Sequence, residues 1–136
     1  MIFLDTSAIY ALADKADPNH AAARARFQRI LDLDEDLLTH NYVLLESMAL
    51  LQARLGLSAA LTFASDSAQF TIEWVDKRLH ASAIAALERS GKRGLSLVDH
   101  ISFLVMRRLR IKNAFAFDPD FQTEGFQLRS SQKVCK

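Results

Sequence analysis

Residues 2–7 read IFLDTS, three apolar side chains followed directly by three polar ones. A short apolar run that ends in residues able to cap a helix is typical of a buried strand leading into a helix. We therefore predict a strand over residues 2–4 and a helix over residues 8–15, with Thr6 or Ser7 as its N-cap. The aspartate between them is then at the carboxyl end of the first strand.

The same alternation of strands and helices continues along the chain. Apolar, β-branched or aromatic runs predict further strands at residues 37–39, 70–75, 114–117 and 126–128. Capping residues and helical periodicity predict helices at residues 18–33, 41–55, 58–68, 77–90 and 96–109. This order favours an α/β domain with a largely parallel sheet of four to five strands.

The composition suits one soluble domain, because half of the 136 residues are apolar and 24% are charged. We assign residues 1–129 to that domain and residues 130–136 to a polar tail. The tail holds the single cysteine, Cys135, which points to a reducing compartment. The start of the chain lacks a signal-peptide pattern, and no apolar run is long enough for a membrane span, so we expect a cytoplasmic protein.

Acidic residues follow two of the predicted strands. Asp5 directly follows the first strand, and Asp118 directly follows the fourth, with Asp120 two residues further on. The carboxyl ends of parallel strands share one edge of the sheet, where ligands bind, so we expect these carboxylates to meet. An aspartate after a strand can also be a turn former or a helix cap, and position alone leaves both interpretations open.

Two further acids are on predicted helices. Glu46 has apolar residues three and four positions away on both sides. A buried carboxylate is costly unless it is paired or bound to metal, so Glu46 either has such a partner or reaches the rim of the core. Asp99 follows Ser96 by three residues, the spacing of a capping box. A helix N-terminus can also orient a carboxylate, so the two roles are compatible.

Several other kinds of site are excluded or disfavoured. Glycine-rich nucleotide-binding loops are absent, and the histidines lack zinc-ligand spacing, so we expect them to be surface or structural residues. An aspartyl-nucleophile phosphatase would need a second acid where Ser7 stands. Net charge is only +1, which argues against non-specific coating of RNA. A set of carboxylate ligands would select Mg²⁺ or Mn²⁺.

These motifs together resemble the PIN-domain family, in particular the ribonuclease toxins of VapBC toxin–antitoxin modules. The hydrophobic strand ending in Asp-Thr-Ser at residues 2–7 is one such motif. One departure from the family pattern is Ala116, where relatives often carry threonine two residues before the aspartate. The other motifs are T-x-x-x-V-x-x-E at residues 39–46, S-x-x-D at 96–99, and D-x-D-F followed by G-F and a leucine at 118–128. The resemblance covers residues 1–129.

The resemblance implies a three-layer α/β/α fold around a mainly parallel sheet. It also implies a Mg²⁺- or Mn²⁺-dependent endoribonuclease that hydrolyses RNA phosphodiester bonds, usually as a homodimer whose cleft a cognate antitoxin blocks. The alternative is a non-catalytic PIN-like module that binds RNA or protein. The implied acidic ligands are Asp5, Glu46, Asp99 and Asp118, with Asp120 as a fifth, and the supporting or phosphate-binding residues are Thr6, Ser7 and Ser96.

Basic residues are candidates for contacts with the RNA backbone, although solvated helix faces and turns would explain them equally well. The candidates are Arg24, Arg26, Arg29, Arg89, Lys92 and Arg93.

Overall fold

Strands and helices alternate along the chain as predicted, in a computed structural model that describes residues 1–128. The strands are β1 (Ile2–Leu4), β2 (Leu37–His40), β3 (Thr71–Glu73), β4 (Asn113–Phe115) and β5 (Gln127–Leu128). The helices are α1 (Thr6–Ala13), α2 (His20–Asp32), α3 (Asn41–Leu55), α4 (Leu57–Asp66), α5 (Lys77–Ser90), α6 (Leu97–Leu109) and α7 (Asp120–Thr123), with a 3₁₀ turn at Ser67–Gln69. The predicted tail at 130–136, with Cys135, lies outside the described residues.

The five strands form one sheet in the order β3-β2-β1-β4-β5, and every pair is parallel. The α/β prediction is confirmed, and within residues 1–128 the sheet is parallel throughout rather than mainly so. The chain proceeds from β1 through β2 to β3 on one side, then crosses to β4 and β5 on the other. The strand order therefore reverses between β1 and β4, and ligands of such sheets bind beside that switch point.

The core surrounds the central strand. Ile2, Phe3 and Leu4 are at most 1% exposed, as expected for a parallel strand covered on both faces. Phe103 of α6 packs edge-on against Phe121 of α7, with ring centroids 5.2 Å apart. Helix α3 packs against α1 and α4, and α5 packs against α6. Within residues 1–128, no helix combines the length and apolar character needed to cross a bilayer.

Two helix starts differ from the prediction by two residues. Helix α1 begins at Thr6, because the side chain of Asp5 accepts a hydrogen bond from the Ser7 amide and is itself the N-cap. The prediction that Thr6 or Ser7 caps this helix is wrong. Helix α2 begins at His20, because the Asp17 carboxylate accepts a hydrogen bond from the Asn19 amide and holds the residues around Pro18 in a turn.

Helical periodicity places Arg26 of α2 off the apolar face of that helix, yet Arg26 is only 5% exposed. Its guanidinium donates a hydrogen bond of 2.9 Å to the Ala114 carbonyl and stacks 4.8 Å from the centre of the Phe115 ring. The long side chain therefore fastens α2 to β4, which removes Arg26 from the candidate RNA contacts. The apolar pattern of α5 predicts that Ile84 points inward, but Ile84 is 41% exposed.

His40 ends β2 and is the buried N-cap of α3, which confirms the expectation of a structural residue. Its Nδ1 accepts a hydrogen bond of 3.3 Å from the Val43 amide, so the ring proton belongs on Nε2, 2.9 Å from the Ser102 hydroxyl. The Ser102 hydroxyl in turn donates to the Val98 carbonyl. Burial lowers the pKa of His40 to about 3, because the charged ring would lose its hydration.

Neutral His40 should make folding sensitive to acid. Its pKa falls from 6.5 in the unfolded chain to about 3 in the fold, so its contribution to stability is complete above pH 6.5 and is lost as pH falls towards 3. We expect His40→Asn, which keeps a capping side chain, to be less stable at neutral pH but to lose less stability on acidification. Urea denaturation at about pH 7.5 and about pH 4.5 measures both effects. Equal losses in the two proteins would contradict this role.

Candidate active site

Asp5 connects β1 to α1 at the switch point and is only 6% exposed. Its Oδ2 accepts hydrogen bonds from the Ser7 amide (3.1 Å) and the Ser7 hydroxyl (2.7 Å), whereas Oδ1 accepts none within residues 1–128. Burial raises the pKa of Asp5 to about 6 against the opposing effect of the Ser7 hydrogen bonds, and the charges of Asp99 and Glu46 raise it further. Asp5 is thus a helix cap and also a carboxylate that is held close to other acids.

Ser7 links the two strands that border the switch point. Its hydroxyl donates to Asp5 and accepts a hydrogen bond of 2.9 Å from the Phe117 amide, just beyond β4. Ser7 therefore fixes the orientation of the Asp5 carboxylate and ties the end of β4 to the start of α1. Ser7 therefore supports Asp5. It does not replace the second acid that an aspartyl-nucleophile phosphatase would need at this position.

Glu46 lies at the rim of the site and is exposed. The interpretation that its carboxylate is buried is therefore wrong, and the alternative, that α3 is rotated so that Glu46 reaches the rim, is correct. Its Oε1 accepts a short hydrogen bond of 2.6 Å from the hydroxyl of Thr6, which is 8% exposed. The Ser47 hydroxyl lies 3.4 Å from the same Thr6 oxygen. Thr6 therefore positions Glu46 beside the first turn of α1.

Asp99 forms the predicted capping box at the start of α6. Its Oδ2 accepts hydrogen bonds from the Ser96 amide (2.9 Å) and hydroxyl (3.1 Å), and the Asp99 amide donates to the Ser96 hydroxyl. Its charge also raises the pKa of both Asp5 and Asp120. The cap therefore orients a carboxylate whose field reaches the acids at the ends of β1 and β4.

Asp118 and Asp120 follow β4. Asp118 Oδ1 accepts a hydrogen bond of 2.9 Å from the Asp120 amide, an Asx-type turn that leads into α7. The pKa of Asp120 is raised by lost hydration and by Asp118 and Asp99, and lowered by the nearby Lys92. Asp120 therefore lies in the field of the same acids, with one cation beside it.

The acids form two sets, each made of one aspartate and the acids whose charges raise its pKa. The first set is Asp5 with Glu46 and Asp99, and the second is Asp120 with Asp118 and Asp99, so Asp99 belongs to both. These side chains come from β1, α3, α6 and the segment after β4, so the fold brings all five predicted acids to one region. None of them forms an ion pair with a basic side chain within residues 1–128.

A divalent cation fits the donor chemistry of this region. The available donors are carboxylate oxygens, which Mg²⁺ and Mn²⁺ prefer, and Asp5 Oδ1 has no hydrogen bond within residues 1–128. A bound cation would also offset the loss of hydration that raises the pKa of Asp5 and the smaller contribution from the charges of Asp99 and Glu46. As positioned, no three His, Cys, Asp or Glu side chains in the described part of the chain are grouped so that they would hold a metal ion.

A family model, related sequences and a solved structure all relate this chain to the same group of proteins. A family model described as the PIN domain matches residues 2–125. The 23S rRNA-specific endonuclease VapC20 of Mycobacterium tuberculosis, from strains CDC 1551 and H37Rv, is 38% identical over 128 residues, which cover 93% of this chain and 95% of that protein. The crystal structure of M. tuberculosis VapC20, described as a sarcin-ricin loop cleaving toxin, superimposes with a TM-score of 0.85 at 36% identity. That match covers 96% of this chain and 99% of the other.

Proposed function

The chain belongs to the PIN-domain family and is a VapC-type endoribonuclease, and on that premise we propose that it uses a divalent cation to cut a loop of ribosomal RNA. The observation that carries the proposal is the convergence of acids from four separate elements at the switch point of the sheet. Such a concentration of like charge is unfavourable for folding, so it is better explained by chemistry than by structure.

Asp5, Glu46, Asp99 and Asp118 are the proposed ligands of Mg²⁺ or Mn²⁺, with Asp120 at the edge of the site. When bound, such an ion lowers the pKa of a coordinated water and stabilises negative charge on a phosphodiester. The acids would hold the ion through carboxylate oxygens, and Asp5 Oδ1, which accepts no hydrogen bond within residues 1–128, is available for this role.

The hydroxyl side chains orient these acids. Ser7 fixes Asp5, Thr6 fixes Glu46 and Ser96 fixes Asp99, each through a hydrogen bond to one carboxylate oxygen. The second oxygen of each of these carboxylates accepts no hydrogen bond within residues 1–128. Hydrogen bonds of this kind limit side-chain motion, and their loss typically reduces metal affinity or activity by about 10–100-fold.

The proposed substrate is an unpaired loop of large-subunit ribosomal RNA, by analogy with the relative that carries that description. Lys92 supports a nucleic-acid substrate, because its charge acts on Asp120 at the border of the acidic site. A cation in this position can contact a phosphate of the RNA while the acids face the ion.

The proposal includes a cognate antitoxin and a homodimer, acting in the cytoplasm where ribosomes are found. Exposed apolar side chains support protein partners, since Leu57 and Leu61 of α4 are both more than half exposed. An apolar groove of about 780 Å³ lies between α1, α2 and α4, with Phe27 and Phe63 in its walls.

Cleavage of a defined RNA tests the proposal. The purified protein with Mn²⁺ should cut an oligonucleotide that carries the sarcin-ricin loop at one position, and it should leave a fully paired duplex of the same strand intact. EDTA should stop the reaction, because the acids alone cannot activate water efficiently. RNA that is bound but never cut in the presence of Mn²⁺ would instead identify a non-catalytic binding module.

A further inference from the structure

Trp74 is the only tryptophan of the chain, and its side chain is 69% exposed. The two tyrosines and nine phenylalanines are all buried or partly buried. An indole presents more apolar surface than any other side chain, so leaving it in water forgoes a large gain from burial. Its exposure therefore calls for an explanation outside the packing of the core.

The backbone around Trp74 is fixed on both sides. Glu73, just before it, pairs with His40 in the sheet. The Val75 amide, just after it, donates a hydrogen bond of 2.6 Å to the side chain of Asn41. Asp76 then caps α5 by accepting a hydrogen bond from the Leu79 amide. The indole is thus presented from a short segment with little freedom to move.

Helix α5 is also fastened to α3 close to this segment. The Tyr42 hydroxyl and His80 Nδ1 lie 2.6 Å apart, and the two rings meet edge-to-face with centroids 5.7 Å apart. The support of Trp74 therefore includes β2, α3 and α5.

Trp74 lies at the same edge of the sheet as the acids. The register pairs Phe3 with Leu38, so Asp5 is level with His40, which is itself paired with Glu73. Trp74 is one residue beyond that row. Because β3 and β1 are separated by two strand spacings, the backbones at Trp74 and Asp5 are about 10 Å apart across the edge. A short stretch of single-stranded RNA can cover this distance.

Two cations follow Trp74. Lys77 and Arg78 occupy the first turn of α5, and both are exposed and form no ion pair within residues 1–128. Cations in the first turn oppose the helix dipole, so these two do not stabilise α5. The nearby Asp76 carboxylate is engaged as the helix cap. Exposed cations beside an exposed aromatic ring are the pair of features that bind single-stranded nucleic acid.

We propose that Trp74 stacks on an unpaired base of the RNA substrate next to the cleavage site, while Lys77 and Arg78 contact the adjoining phosphates. This inference rests on the proposed endoribonuclease function and extends it with a base-binding subsite. An aromatic platform accepts any base, so Trp74 strengthens binding of looped RNA over duplex RNA rather than reading sequence.

Tryptophan fluorescence measures this contact directly, because the chain has one tryptophan. The wild-type protein is titrated in EDTA, where RNA is not cut, with a fluorescein-labelled hairpin that carries the sarcin-ricin loop. Anisotropy of the label reports binding, and unlabelled hairpin is used for the emission of Trp74. We expect emission to be quenched in proportion to binding by the hairpin, and to change little with a blunt duplex.

Kinetics of three variants separate stacking from a structural role. Trp74→Ala should raise KM for the hairpin about tenfold with little change in kcat, and Trp74→Phe should recover most of the affinity. Ile84→Ala is the matched control, since Ile84 is an exposed apolar residue on the following helix, α5, and its loss should leave KM unchanged.

Three other outcomes would contradict the proposal, and each has a different meaning. Binding of the hairpin without a change in Trp74 emission would remove the base contact and leave the endoribonuclease function intact. Failure of the wild-type protein to bind or cut the hairpin would overturn both. A lower oligomeric mass for Trp74→Ala in light scattering, with KM unchanged, would show that Trp74 is a contact between subunits.

Discussion

Asp5→Asn should reduce RNA cleavage by at least about 100-fold, more than the loss expected for a residue that only orients a ligand. The amide removes the charge with which Asp5 would hold the cation, yet its oxygen can still accept the hydrogen bonds from Ser7 that cap α1. Cleavage of the loop oligonucleotide under single-turnover conditions measures the loss.

The same variant should be more stable than the wild type at neutral pH without metal. The pKa of Asp5 rises from 3.8 in the unfolded chain to about 6 in the fold. Folding therefore favours the neutral form, and the stability this provides is complete below pH 3.8 and is lost as pH rises through 6. Asparagine avoids that loss, which corresponds to about 3 kcal/mol above pH 7. Urea denaturation should show the gain at about pH 7.5 and little difference at about pH 4.

Asp36→Asn is the matched control for this variant. Asp36 is exposed and directly precedes β2, at the edge of the sheet opposite the acids. The control should change neither cleavage nor the pH dependence of stability. Asp5→Asn protein that cut RNA at the wild-type rate, or that was less stable at neutral pH, would contradict the role of Asp5.

Asp99→Asn should also reduce cleavage by about 100-fold, because Asp99 is the acid that the two overlapping sets share. The amide oxygen can still accept the hydrogen bonds from Ser96, so the stability of the protein should change little. Removing the charge of Asp99 should lower the pKa of Asp5, which carboxyl-carbon NMR can follow.

Ser96→Ala provides the converse of Asp99→Asn. It removes the capping hydroxyl and should destabilise the protein by about 1 kcal/mol, while the charge of Asp99 remains. Activity should therefore fall less in Ser96→Ala than in Asp99→Asn. An Asp99→Asn protein with normal activity and an unchanged pKa of Asp5 would show that Asp99 is only a cap.

Local signals predicted much of the fold. Helix α5 starts where Asp76 indicates, because the carboxylate reaches the Leu79 amide, and it ends before Gly91, which adopts a positive φ of 56°. The start of α2 was predicted less well, since Asp17 and Pro18 are as typical of a turn as of a helix start. The burial of Arg26 depends on β4, which is distant in sequence, so helical periodicity could not reveal it.

Asp5, Asp118 and Asp120 were predicted to lie together because parallel strands place their carboxyl ends at one edge, a rule that needs only the order of elements. Glu46 and Asp99 lie on helices, and the resemblance to PIN domains added them to the predicted ligand set. The rotation of α3 was not predictable, because apolar residues surround Glu46 on that helix. The contacts Thr6–Glu46 and Ser7–Phe117 join residues distant in sequence, and no local pattern encodes them. The exposure of Trp74 was not predicted, because Trp74 falls within the predicted strand at residues 70–75 and an aromatic residue suits a buried strand as well as an exposed loop.

Acids from the ends of β1 and β4 and from α3 and α6 are proposed to act together as one cation site. Calorimetric titration with Mn²⁺ near neutral pH tests this claim without RNA. We predict saturable binding to the wild-type protein and to Asp36→Asn, and affinity at least about tenfold weaker for both Asp5→Asn and Asp99→Asn. Wild-type affinity in the last two variants, or no binding by the wild-type protein, would contradict the claim.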